Sequence, residues 1–198
     1  MTAAFECEVR FFIPDITAFQ ARLAALGAHG MERYAFTDHY FHPREGAWNP
    51  RTHALRVREW REPARSSELL LTHIEAVSVD GLACKRSLLP QGKLRLHEGS
   101  IDECAGVCRA LGFVPWLDVV KTDCAICDLP GLGRAIYEHV DGLGWTSEIE
   151  VDGTDAAAAL AHIGVKLAAL GVPVGAVTDT PMAVLVAERI GLLPSPPP

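Results

Sequence analysis

Two glutamate pairs and one arginine pair are the residues of this chain whose types and spacing suit chemistry. Glu6 and Glu8 stand two apart in Phe5-Glu-Cys-Glu-Val-Arg10, Glu148 and Glu150 in Ser147-Glu-Ile-Glu-Val151, and Arg56 and Arg58 in Ala54-Leu-Arg-Val-Arg58. Side chains alternate between the two faces of a strand, so each pair shares one face and the apolar residues between share the other. Carboxylate oxygens at this spacing suit a hard divalent cation, Mg²⁺ or Mn²⁺, and Mg²⁺ commonly keeps waters while bridging substrate phosphates. Guanidinium groups complement phosphate oxygens through their forked donors. Together the two sets describe a site for a metal-bound phosphate compound. For one strand alone the plainer reading is a polar face in water. Recurrence in separate strands, each apolar on its other face, lets the charged faces converge if the sheet closes.

The elements that must position these residues follow from periodicity. Strands are expected at 5–13, 36–41, 53–60, 68–75, 82–89, 93–97, 117–127, 134–140 and 145–151. Ile16, Phe19, Leu23 and Leu26 recur at helical spacing and end at Gly27; further helices are expected at 101–111, at 154–170 stopped by Gly171, and at 179–190, where Pro181 suits the first turn. Helices punctuate the strands rather than alternating with them one for one. That order disfavours a doubly wound parallel sheet and favours an α+β fold, with a curved or closed antiparallel sheet carrying helices outside.

Length and composition bound the function. At 198 residues, 49% of them hydrophobic, the chain is expected to form one domain over 1–193, with a disordered Pro-rich tail at 194–198. A formal net charge of −7 argues against a general nucleic-acid partner, which requires a basic surface. No apolar run approaches the roughly 20 residues that cross a bilayer, so no membrane partner is expected. The N-terminus reads as no secretory signal, which makes the cytoplasm the expected compartment. The six cysteines are too sparse for a disulfide framework. Cys104 and Cys108 fall on the apolar stripe of a helix, and in Cys124-Ala-Ile-Cys127 opposite strand faces separate the sulfurs. His39 and His42 adjoin a turn and read as surface residues, and the chain has no GxxxxGK[ST] loop.

Glu6-Cys-Glu-Val-Arg10 resembles the N-terminal ExExK motif of the CYTH proteins, the triphosphate tunnel metalloenzymes, with Arg in place of Lys. Later segments follow in the family's order. Thr37-Asp-His-Tyr-Phe41 is similar to its D-x-Y-F segment, Ala54 to Arg58 to its LRxR strand, and Gly142-Leu-Gly144 with Glu148-Ile-Glu150 to its G-L-G…E-I-E ending. The resemblance implies a closed antiparallel β-barrel of about eight strands, a tunnel, with helices packed outside. It implies Glu6, Glu8, Glu138, Glu148 and Glu150 as metal ligands, Glu138 standing where an Asp is usual. Arg10, Arg56, Arg58, Arg86 and Lys121 would face phosphate, and Lys121 would also position an attacking water or a leaving group.

Three positions depart from the family's pattern. The second residue after the Thr of the L-T-x-K strand is Ile74, the R-x-E pairing reads Arg86-Ser-Leu88, and the K-x-R pairing reads Lys121-Thr-Asp123. By parity Asp123 is expected inside with Lys121, where a carboxylate would repel a triphosphate. The expected function is a divalent-metal-dependent triphosphatase acting on inorganic triphosphate, thiamine triphosphate or a nucleoside triphosphate. A class IV adenylate cyclase and a catalytically weak phosphate- or metal-binding protein are the alternatives. The expected partner is a small-molecule triphosphate or another phosphorylated anion, and a homodimer is the assembly to test for.

Overall fold

A computed structural model describes residues 5–63, 65–79, 82–89, 92–153 and 155–194, with the side chains of 5, 6, 79, 152 and 153 left out. Expected residues outside that set are Thr154 and the tail residues 195–198. The elements are β1 (Phe5–Phe12), α1 (Ile16–Ala25), β2 (His29–Pro43), β3 (His53–Glu62), β4 (Ser66–Val79), β5 (Leu82–Ser87), β6 (Leu94–Gly99), α2 (Ile101–Ala110), β7 (Phe113–Leu129), β8 (Gly133–Val140), β9 (Gly144–Gly153), α3 (Ala156–Leu170), β10 (Val177–Thr178) and α4 (Met182–Arg189).

Eight strands close in the order β1-β5-β4-β3-β2-β7-β8-β9, with β9 returning to pair with β1. Every pairing in this ring is antiparallel. The fold is therefore the α+β barrel that the alternating strands predict. Closure satisfies the backbone groups that an open sheet would leave along its edges. β6 pairs with β4 beside the ring, and the two-residue β10 pairs with β1 at Arg10↔Thr178. Two residues are too few to show periodicity, so β10 has no signature in the sequence.

The same alternation that turns charge inward turns apolar side chains outward beneath the helices. Cys7, Val9 and Phe11 of β1 pack with Tyr137, Ile149 and the buried faces of α1 and α3, including Phe19, Leu23, Ile163 and Leu167. Asp15 caps α1, Asp155 caps α3, and Gly171 ends α3 with φ 74°, a conformation that costs glycine no Cβ clash. Cys104 and Cys108 of α2 are buried against Leu55, Val57 and Leu69 of β3 and β4, on the apolar stripe that the sequence predicts. Truncating one such residue, Leu167→Ala for example, costs about 2–5 kcal/mol.

α4 packs differently. Met182, Ala183, Val186 and Ala187 meet Tyr40, Leu117, Val119 and Val140. Those strand residues share their faces with Asp38, Lys121 and Glu138, the inner face of the barrel. The C-terminal helix thus stoppers one end of the bore.

Candidate functional site

One wall of the bore is built by β1, β5, β7, β8 and β9. Glu8 lies opposite Glu150 on β9 and Lys85 on β5, and Arg10 lies opposite Glu148. Directly opposed residues of an antiparallel pair share a face, so all five meet inside. Arg10 contacts Glu148 and lies 3.1 Å from Glu8, while Lys85 also contacts Glu8. Lys121 contacts Glu138 and lies 3.7 Å from Glu148. The Tyr34 hydroxyl donates to Glu138 at 2.9 Å.

The electrostatics follow from burial opposed by pairing. Burial alone would raise the Glu148 carboxyl, but Arg10, Lys121 and Lys85 hold it well below the usual carboxylate range. Burial disfavours the Lys121 ammonium, yet Glu138 and Glu148 outweigh it and keep the charge on. At Lys85 burial and Arg10 prevail over Glu8, so its ammonium is held less tightly than usual. The Tyr34 phenol is pushed far up by burial and by the Glu138 charge, which leaves it a neutral donor.

The facing wall, from β2, β3 and β4, is organised around Asp38. Arg58 makes a fork to it, Nε to Oδ1 at 2.7 Å and Nη2 to Oδ2 at 2.8 Å, and Arg56 Nε approaches Oδ2 at 3.2 Å. Burial would raise the Asp38 carboxyl, but the two guanidiniums lower it. Arg56 also donates to the Thr72 hydroxyl at 2.9 Å. The Arg58 guanidinium lies 3.8 Å from the centre of the Phe36 ring and 5.3 Å from that of Trp60, with Tyr34 stacked on Phe36. A guanidinium over an aromatic face is held flat and turns its edge to an anion, here the Asp38 carboxylate.

These walls enclose a cavity of about 700 Å³, lined by Glu8, Arg10, Arg56, Arg58, Lys121, Glu138, Glu148 and Glu150 among the expected residues. The expected metal ligand Glu6 pairs in register with Asp152 on the same strand pair, and its side chain lies outside the described residues. Among the described residues, Glu8, Glu148 and Glu150 bring one carboxylate oxygen each within 4.8 Å of the others. This all-oxygen set fits a hard divalent cation.

Arg86 does not line the cavity. It lies opposite Cys7 on the outer face and contacts Glu75, while its neighbour Lys85 faces Glu8. Two adjacent cations cannot share a strand face, and the register with β1 selects Lys85. The inner pair on β5 is therefore Lys85 and Ser87, and Leu88 lies beyond the strand and is exposed.

Asp123 also departs from its expected place. It has φ 50° and is exposed, at a register shift between Thr122 and Ala125. This bulge inserts a residue that points away from the bore, so Asp123 opposes no ligand there. Beyond it the inner face passes from odd to even positions: Lys121 lines the cavity before the bulge and Ile126 after it. Ile74 does line the cavity, next to Thr72. Cys127 joins the outer core and Cys124 does not, as opposite parity requires, and His39 turns outward to Asp118 at 2.9 Å.

Asp38 and Lys85 were legible as charged residues of strands, but their inward direction needed the register. Tyr34, Phe36 and Trp60 carry no chemical signature beyond apolar alternation.

No family model matches the sequence, and no curated protein matches it. Solved structures do. A hypothetical protein from Pyrococcus furiosus superposes with a TM-score of 0.70 at 20% identity, covering 91% of this chain and 99% of that one. A candidate adenylate cyclase from Vibrio parahaemolyticus gives 0.66 at 13% identity, covering 93% and 99%. The chain has the CYTH tunnel fold. A candidate adenylyl cyclase from Hippeastrum, described as having a dominant triphosphatase activity, shares this tunnel with a TM-score of 0.55 at 18% identity, covering 96% and 98%. Among the described residues of the tunnel protein no helix is long and apolar enough to cross a membrane.

Proposed function

We propose that the protein is a divalent-metal-dependent triphosphatase acting on a small triphosphate inside its tunnel. The observation that carries this reading is the opposition of two walls across one cavity. On one side Glu8, Glu148 and Glu150 converge within 4.8 Å; on the other, Arg56 and Arg58 share a single carboxylate. Glu8, Glu148 and Glu150 would hold Mg²⁺ or Mn²⁺, which when bound supplies charge neutralisation to the phosphate oxygens. Arg10, Arg56, Arg58, Lys85 and Lys121 bind and orient the phosphates, and the enclosed bore limits access of bulk water. Lys121 contacts Glu138, itself held by Tyr34. That chain fixes an ammonium where it can position a water or stabilise a leaving oxygen.

The partners the cations hold at rest are carboxylates. On uptake of a triphosphate, Glu8, Glu148 and Glu150 would be the groups to hold the metal, and Arg10, Lys85 and Lys121 would turn from those carboxylates to the phosphates. Such an exchange would leave few charges unpaired at either stage.

The aromatic group of Tyr34, Phe36 and Trp60 favours a second reading, a class IV adenylate cyclase, because flat rings lining the cavity offer a surface to a purine. A panel of tripolyphosphate, thiamine triphosphate and ATP with Mg²⁺ or Mn²⁺ separates the two. Phosphate release abolished by Glu148→Gln supports the hydrolase, and cyclic AMP with pyrophosphate supports the cyclase. Metal-dependent binding with neither product supports a catalytically weak binder.

A further inference from the structure

The stoppered end of the bore carries groups that neither wall uses. Pro181, Met182 and Ala183, the cap and first residues of α4, line the cavity. No side chain caps this helix, and among the described residues the first helical N–H to find an acceptor is that of Val184, on Pro181 O at 3.0 Å. The amides of Met182 and Ala183 are therefore unused donors at the positive end of a helix dipole.

Tyr40 is a second, independent observation. It is 7% exposed, lines the cavity and packs in one cluster with Met182 and Ala183. Among the described residues its hydroxyl has no hydrogen-bond partner, and the residue lines the cavity, where a donor can meet a ligand. Burial holds the phenol neutral, so it remains a donor. Arg56 supplies charge beside it, its guanidinium carbon 5.9 Å from the Tyr40 ring centre, and is kept in place by Thr72 and Asp38.

We infer that the N-terminus of α4, the Tyr40 hydroxyl and Arg56 form a subsite for a tetrahedral oxyanion, which seats the terminal phosphoryl group of the substrate or free orthophosphate. The groups that converge here are donors, as a phosphate oxygen requires, and a helix N-terminus binds such anions through its unpaired amides. This rests on the proposed triphosphate reading and adds a direction to it. One end of the polyphosphate meets α4, while the remainder runs back toward Lys121 and the glutamates.

The test is calorimetry on the full chain with Mg²⁺, titrating tripolyphosphate and, separately, orthophosphate. Tyr40→Phe removes one oxygen and keeps the ring that packs on α4. Affinity for tripolyphosphate is expected to fall about 5- to 10-fold, the loss of one donor to a charged group, with the melting temperature and Mn²⁺ affinity unchanged. Arg56→Lys, which keeps the charge but removes the fork, is expected to weaken binding as well and serves as the second variant. A parallel loss for orthophosphate assigns the subsite to free phosphate too; orthophosphate binding to neither protein assigns it to the chain end alone. Unchanged tripolyphosphate affinity in Tyr40→Phe overturns the subsite and leaves the triphosphate reading intact. Failure of the unsubstituted protein to bind tripolyphosphate overturns both.

Discussion

The two walls of the bore solve the problem of buried charge in opposite ways. On the β1–β9 wall four glutamates, Glu8, Glu138, Glu148 and Glu150, stand with four cations, Arg10, Lys85, Lys121 and the exposed Arg134. On the β2–β3 wall one buried carboxylate, Asp38, holds two guanidiniums, and Glu32 lines the cavity from an exposed position. The first wall gathers three carboxylates, Glu8, Glu148 and Glu150, at one place and can accept a cation there; the second gathers two guanidiniums on one carboxylate and can accept an anion. Pairing within each wall offsets much of the buried charge, and the difference between the walls suits the proposed ligand, a metal–anion pair.

The strongest way to break this comparison is to remove the buried carboxylate that the two guanidiniums share. Asp38→Asn leaves Arg56 and Arg58 with no charge partner at their centre and should destabilise the fold by roughly 3 kcal/mol, measured by urea unfolding. The pH dependence has a definite sign. Asp38 and Glu148 are held below the ordinary carboxylate range, so their contribution is full above the unfolded value of about 4 and is lost as pH falls through the lower folded value. Stability of the parent protein should fall on acidification below about pH 4, and that of Asp38→Asn should fall less.

On the glutamate-rich wall, Glu148→Gln with Glu150→Gln keeps shape while removing charge, and Mn²⁺ affinity by calorimetry should drop on the order of 100-fold, about 2.7 kcal/mol. Unchanged affinity would remove the metal from this wall. A finer test sets neighbours against each other. Lys85→Ala should weaken tripolyphosphate binding by roughly 1.5–3 kcal/mol, a charge-assisted bond, whereas Arg86→Ala on the outer face should change it by less than about 0.5 kcal/mol. The smallest expected effect is at the bulge. Asp123→Arg should leave tripolyphosphate affinity within about 0.5 kcal/mol, while Ile74→Lys, which adds a cation inside, should tighten it on the order of 1–3 kcal/mol. A large gain from Asp123→Arg would show that its side chain reaches the ligand.

Much of this arrangement was legible in the sequence because strand alternation is a local rule. The Glu6–Arg10, Arg56–Arg58 and Glu148–Glu150 segments are charged on one face and apolar on the other, and that pattern fixes strand and face together. What could not be read depends on distant partners. Lys85 and Arg86 are both cations, and only the pairing of Glu8 with Lys85 selects one. Asp123 obeys parity on paper and escapes it through a bulge. Tyr34, Trp60 and the first residues of α4 belong to the bore because of closure and chain return, which leave no periodic trace.

The bulge at Asp123 has a consequence for how the gene can change. A strand facing core on one side and ligand on the other is read in steps of two, and one extra residue resets the reading frame. Because the bulge absorbs that extra residue, deleting Asp123 would restore plain alternation and leave Cys124 and Ile126 toward the bore and Ala125, Cys127 and Leu129 toward the helices, the faces they hold now. Point substitution at this exposed position is cheap, and loss of the residue removes the bulge without exchanging the faces of the strand, so the site tolerates a change of length as well as a change of letter.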